Sequence, residues 1–273
     1  NFTGSGYATV GGGRVNTANG YHPTIAGGES NEANGSRAFV GGGTDNNASN
    51  SYTSVAGGYG NISSSPYATI AGGHTNTASD YYATIAGGNL NTASGQYATV
   101  PGGWNNLAAG NYSFAAGYRA KANHPGSFVW ADYTDEDLAS TVSNQFLVRA
   151  TGGVNLNVGS GGLRLLPYGT NLNLIGGYSG NWITPFVTGA VIAGGGDLYA
   201  ENRVTDHFGT ISGGYYNQAG NSFGTTADAQ YATVAGGQNN TASGYLSSIG
   251  GGLTNNASGE SSMVGGGEEN NAI

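Results

Sequence analysis

One phrase recurs along this chain every fifteen residues, and that spacing limits the possible folds more than any other feature. Residues 67–95 say it twice: an aromatic residue, Ala, Thr, a β-branched residue, Ala, a Gly-Gly pair, two variable positions, Asn, and a small-residue ending. The β-branched marker falls at Val10, Ile25, Val40, Val55, Ile70, Ile85 and Val100. A fixed period this short means stacked coils. A pair of packed helices needs about 33 residues per repeat. The phrase also lacks an apolar i, i+3, i+4 pattern and carries Gly-Gly in every copy, which excludes helix. The alternating run around the marker instead predicts a short strand, Gly-Gly a turn open to positive φ, and the Asn with its small-residue ending a second short strand and turn. Coils of this kind stack in register about 4.8 Å apart. The predicted fold is all-β, a parallel β-roll or solenoid.

Composition agrees. The 273 residues include 53 Gly and 18 Tyr, with only 8% charged side chains, so the chain is repetitive, while its regularly placed Val, Ile and Tyr argue against disorder. No Cys is present, which removes disulfides and thiolate metal sites. A net charge of −8 with seven scattered Lys and Arg makes nucleic acid and anionic membrane surfaces poor partners. No apolar run approaches the roughly 20 residues of a spanning helix, and the first residues do not read as a signal peptide. Because the chain starts and stops inside the pattern, we expect it to be a window on a longer polypeptide, with units that could follow one another in tandem.

Three segments are expected. Residues 1–127 form a first roll, with an Asn ladder at Asn16, Asn31, Asn46, Asn61, Asn76, Asn91 and Asn106. Asn is a turn former whose amide can bond neighbouring backbone and stack along the ladder, so these are structural positions. Residues 128–174 lose the Gly-Gly period and read as a β-rich connector or cap, with strands over 128–131, 145–150 and 154–158. Asp132, Asp135, Glu136 and Asp137 could ligate calcium, but their spacing is not that of an EF-hand loop, and a solvated acidic loop is the simpler reading. Residues 175–273 form a second roll with markers at Ile175, Ile192, Ile211, Val234, Ile249 and Val264. Its irregular early intervals predict outward insertions, placed at 200–207 and 221–228.

The interval shortens to fourteen where Ser113, Ala115 and Gly117 are followed by Ala120 and Ala122. This Ser-x-Ala-x-Gly and Ala-x-Ala pattern resembles the head repeat of YadA-type trimeric autotransporter adhesins. The fifteen-residue copies look like an expansion of it, aligning Thr9, Gly11 and Gly13 with Ser113, Ala115 and Gly117. The resemblance covers residues 7–127 and about 208–270. It implies a left-handed roll, a side-by-side homotrimer, and adhesion at a cell surface or in the extracellular matrix. Similar repeats also occur in phage fibres.

The strand faces point to a trimer independently. Alternation puts Ala8 and Val10 on one strand face and Tyr7, Thr9 and Gly11 on the other. If small residues fill so narrow a coil, the ladder of Val10, Ile25, Val40, Val55, Ile70, Ile85, Val100, Phe114 and Phe128 faces outward as an apolar stripe. That stripe is roughly 40 Å long, more than a monomer usually exposes. Other copies of the chain would then cover it. The alternative puts these side chains inside a monomeric solenoid.

No catalytic constellation is visible. His22, His74, His124 and His207 are far apart and lack partner patterns, and no cofactor is called for. The Asp-bearing nonapeptide of calcium-binding rolls is absent. One aromatic column, Tyr7, Tyr52, Tyr67, Tyr82 and Tyr97, reads first as a packing device and second as a contact face for glycans or extended protein strands. Three function classes stay open: a trimeric extracellular or surface fibre with adhesive head, a phage tail-fibre or receptor-binding shaft, and an ice-binding solenoid. The third fits poorly, since the row Thr9, Thr24, Phe39, Ser54, Thr69, Thr84, Thr99 is a single interrupted column.

Overall fold

The computed structural model describes residues 1–4 and 7–273, and the chain divides into two compact units, residues 1–150 and 151–273. Among the described residues every regular element is a strand. The first unit is a solenoid of short parallel rungs, most of two residues, forming one ten-stranded and one eleven-stranded sheet. Successive coils pair in register at a fifteen-residue offset, as in Thr69 with Thr84 and Ile70 with Ile85 on one face, and Thr77 with Thr92 and Ala78 with Ala93 on the other. The expected parallel β-roll is therefore what the chain forms.

Each coil turns four side chains inward. In the coil from Tyr67 they are Ala68, Ile70, Asn76 and Ala78, all fully buried. This overturns the outward stripe: Ile25, Val40, Val55, Ile70, Ile85 and Val100 have no exposed surface in the single chain, and Val10 is half-buried against the same core. The coil is wider than the expectation of a filling by small residues allowed. One branched side chain with two alanines and an amide fills it, and burying each Val or Ile contributes about 1.5–3 kcal/mol.

Phe114 and Phe128 leave the ladder for another reason. Phe114 pairs with Thr99, and Phe128 with Phe114, so both continue the outward threonine column, while Ala115 and Val129 take the buried positions. The residue lost in the fourteen-residue coil falls in the turn, because Gly103 still pairs with Gly117. The motif alignment holds for Gly13 with Gly117 and is displaced by one residue for Thr9 and Gly11. Ser113 consequently occupies the inward site that Ala98 fills one coil earlier.

The stretch expected as a connector is shared between the units. Phe128–Ala131 and Phe146–Arg149 are further parallel rungs of the first unit. Val154–Val158, Gly161–Tyr168 and Asn171–Tyr178 form an antiparallel meander in the second. The last of these strands then pairs in parallel with Val191–Ile192 and starts the second solenoid. That solenoid buries Ile175, Ile192, Ile211, Val234, Ile249 and Val264. Its eight-residue insertion at 221–228 is an outer loop, as expected. The other expected loop is displaced: Arg203–Val204 is a rung with Val204 buried, and the excursion is the exposed turn at Asp197, Leu198 and Tyr199.

The Asn ladder joins the coils. Asn31, Asn46, Asn61, Asn76 and Asn91 are fully buried. Each donates its side-chain amide to two glycine carbonyls and accepts the backbone N–H of the next Asn, as Asn61 does with Gly57, Gly73 and Asn76. The left-handed backbone is adopted by the residue before each Asn, including Ser30, Asp45, Thr75 and Leu90.

Candidate functional site

With the apolar ladder enclosed, the outer columns are what the first unit offers to a partner. Tyr52, Tyr67, Tyr82 and Tyr97 stack face to face with ring centroids 4.9–5.0 Å apart, and Tyr112, which the sequence reading missed, extends the stack at 5.1 Å. Each sits in the left-handed region, with φ from 58° to 62°. Its N–H bonds a carbonyl of the preceding coil, as Tyr67 does with Ser51 and Tyr97 with Tyr81. That bond and a stacking gain of about 0.5–1.5 kcal/mol per pair offset a conformational cost of roughly 1–2 kcal/mol. Arg37 closes one end, donating to the Tyr52 hydroxyl at 2.6 Å with its guanidinium over the ring. Tyr7 stacks separately on His22 at 4.4 Å. Since the Tyr faces lie against one another, the column presents ring edges and hydroxyls rather than open faces. It is a packing device first.

The acidic turn holds ion pairs. Arg149 binds Asp132 at 3.0 Å, and Arg119 bridges Asp135 at 2.8 Å and Asp137 at 2.7 Å. The hydrogen bond from Arg119 holds the Asp135 carboxyl below its ordinary range. Among the described residues no group of three His, Asp or Glu side chains converges as a metal site would require. The histidines are also apart: His74 meets Asn89, His124 meets Ser140, and His207 meets Thr188 and Thr226.

These arginine pairs brace a concave surface in the first unit. Trp104 stacks on Tyr118 at 4.8 Å, and Tyr118 meets Tyr133 at 5.2 Å, tilted by 48°. Trp130 projects from the neighbouring rung, on the row it shares with Ala116 and Val148. Between them lies an open trough of about 400 Å³, lined by these four rings with Gly103, Gly117, Ala131 and Asp132. Glycine is required on the floor: at Gly117, with φ of 98°, a Cβ would lie 2.0 Å from the Ala131 carbonyl oxygen. The Tyr118 hydroxyl donates to Asp135 at 3.3 Å, and desolvation together with that carboxylate pushes its pKa up. Trp130 is 38% exposed, and among the described residues no ring stacks on it. Tyr133, 86% exposed, is the more open ring, and Trp130 is the one with no ring partner among the described residues.

The signal for this site was present in the sequence. Trp104 and Tyr118 follow one another at fourteen residues, in the column that holds Tyr59, His74 and Asn89 in earlier coils, and Tyr133 meets Tyr118 from the next coil.

No protein-family model matches this chain, and no curated protein matches it. The resemblance to YadA-type heads rests on the motif residues alone.

Proposed function

We propose that this chain is a non-catalytic structural repeat protein whose first unit binds saccharide in the trough of Trp104, Tyr118, Trp130 and Tyr133. The observation that carries this reading is that Trp130, with no ring stacked on it among the described residues, lines one open trough with the stacked pair Trp104 and Tyr118, Tyr133 and two glycines. Concave sites with apolar walls and few polar groups are where ligands bind, and a packed repeat scaffold holds such walls without the ordering cost of a free loop. Placement in an extracellular or surface fibre follows the adhesin resemblance; a phage receptor-binding shaft would use the same trough.

Self-association is a further part of the proposal, with a changed basis. The Val and Ile ladder gives no reason for a second chain. The outward column Phe114, Phe128 and Phe146, stacked at 4.7 and 4.9 Å with Phe146 74% exposed, is the apolar surface that neighbouring copies would cover.

The test is titration of the full chain with neutral oligosaccharides, followed by tryptophan fluorescence and ligand-observed NMR. Trp130→Ala should weaken binding at least about tenfold, a loss of roughly 1.4 kcal/mol, with an unchanged circular dichroism spectrum. Equal binding by this variant would refute the assignment.

A further inference from the structure

The second unit holds a different concavity, which does not rest on the trough reading. In the regular coils of the second unit the outward position of the second rung carries a small polar residue, at Thr241, Asn256 and Asn271. In the irregular coils the same column reads Trp182, Arg203, Gln218. Beside this departure the chain spends its eight-residue insertion, 221–228, and the two together enclose about 270 Å³. Departures from a repeat rule that coincide with an insertion mark function more often than stability.

The chemistry of this cavity is specific. The Arg203 guanidinium lies 5.9 Å from the Trp182 ring centroid and donates to Gln218 Oε1 at 2.8 Å. It forms no ion pair among the described residues, although the chain has 15 acidic side chains to 7 basic ones. No carboxylate lines the cavity, which leaves Arg203 as its single charged group. Thr184, Thr205, Ser222, Thr225 and Thr226 also line the cavity; the Thr205 hydroxyl is committed to Asp206, and that of Thr184 is shielded from solvent without a partner. Phe223 supplies a second aromatic wall.

The insertion is fastened at both ends. Asp206, fully buried, accepts the N–H of Asn221 at 2.8 Å and of Ala229 at 3.2 Å, while the Thr205 hydroxyl bonds the same carboxyl. The loop is thus held over the Trp182 and Arg203 row before any ligand arrives, which lowers the entropy lost on binding.

We propose that this cavity binds a carboxylate-bearing monosaccharide unit, either a uronic or a sialic-type acid. Arg203 takes the carboxylate through its fork of N–H donors. Trp182 and Phe223 cover the apolar face of the ring, and the Ser222 and Thr225 hydroxyls meet the sugar hydroxyls. The volume admits about one sugar ring, so the site reads a single or terminal residue.

The experiment uses the full chain carrying Trp104→Phe and Trp130→Phe, so that Trp182 is the one remaining indole. Glucuronate, galacturonate and N-acetylneuraminate are titrated against glucose, galactose and acetate. The acidic sugars should perturb Trp182 fluorescence and bind at least about tenfold more tightly than either the neutral sugars or acetate. Their affinity should fall as salt is raised. Arg203→Gln should abolish the preference, and Arg203→Lys should retain only part of it. Equal binding of neutral sugars, equal binding of acetate, an unchanged preference in Arg203→Gln, or no response to any acidic sugar at millimolar concentration would each overturn the proposal. The salt dependence is read on unaltered Arg203, so the test survives a variant that fails to fold. Trp130→Ala, which empties the trough of the first unit, should leave acidic-sugar binding unchanged.

Discussion

Replacing Asn76 by alanine tests the part of the structure that joins coil to coil. Its carboxamide donates to Gly72 O at 3.1 Å, Gly88 O at 3.0 Å and Asn61 Oδ1 at 3.0 Å, and accepts the N–H of Asn91 at 3.0 Å. The side chain is fully buried, so no water replaces what is removed. Gly88 O keeps a second donor, the His74 N–H at 2.9 Å. The Asn91 N–H does not, and a buried donor left alone costs about 1–3 kcal/mol. Adding the three lost amide bonds at about 0.5–1.5 kcal/mol each gives a local destabilisation of about 2.5–7.5 kcal/mol. Asn76→Asp should be worse than Asn76→Ala, because a carboxylate would face three acceptor oxygens. Amide hydrogen exchange is the right assay, since a repeat array can open locally without a single global transition. The Asn91 amide should exchange at least about 30-fold faster in Asn76→Ala. Thr77→Ala, on the outward face of the next rung position, should change stability by less than about 0.5 kcal/mol. Asn91 exchange at the native rate, or equal losses in the two alanine variants, would refute the ladder as the bond between coils.

Two further outcomes are expected. Gly28, with φ of 92°, leaves a Cβ 2.1 Å from the Gly43 carbonyl oxygen, whereas a Cβ at Gly27 meets nothing within 4 Å. Gly28→Ala should therefore lower the melting temperature of the full chain, Gly27→Ala should leave it nearly unchanged, and equal effects would count against this turn geometry. Asp135 should titrate below its ordinary value of 3.8, because Arg119 favours the carboxylate. With a depressed folded value, the stabilisation is complete above the ordinary carboxylate range and is lost as pH falls through the depressed one. A carbon-13 titration of the carboxyl in Arg119→Gln should move the midpoint back up, and an unmoved midpoint would remove Arg119 as the cause.

Much of this architecture can be read from spacing alone. The fifteen-residue beat of Val40, Val55 and Ile70 dictates the rungs, their parallel pairing and the Asn ladder, because a repeat that cannot close by itself must stack on its copies. Direction was harder to read. Alternation separates Thr69 from Ile70 without saying which faces inward, and that depends on whether the volume of a coil can hold a branched side chain beside Ala68 and Ala78. Register at a deletion was also illegible: only backbone pairing shows that the residue lost before Gly117 comes from the turn, which sends Phe114 outward and Ala115 inward. The trough and the Arg203 cavity had signals in plain view: Trp104 and Tyr118 one coil apart, and Trp182 heading a column that is otherwise polar. They depend on neighbours fourteen to twenty-one positions away, so a scan for local motifs passes over them.

Each chain covers its own apolar ladder, and the concentration dependence of folding measures that directly. Far-ultraviolet circular dichroism melts should be recorded across a hundredfold dilution series, with light scattering on the same samples. The β-sheet signal and the melting temperature should stay constant on dilution, whatever assembly the scattering reports, because the core is complete within one chain. A melting temperature that falls with dilution, together with loss of the β signal as the mass approaches that of one chain, would show that the ladder is closed by neighbours and would contradict a self-contained core.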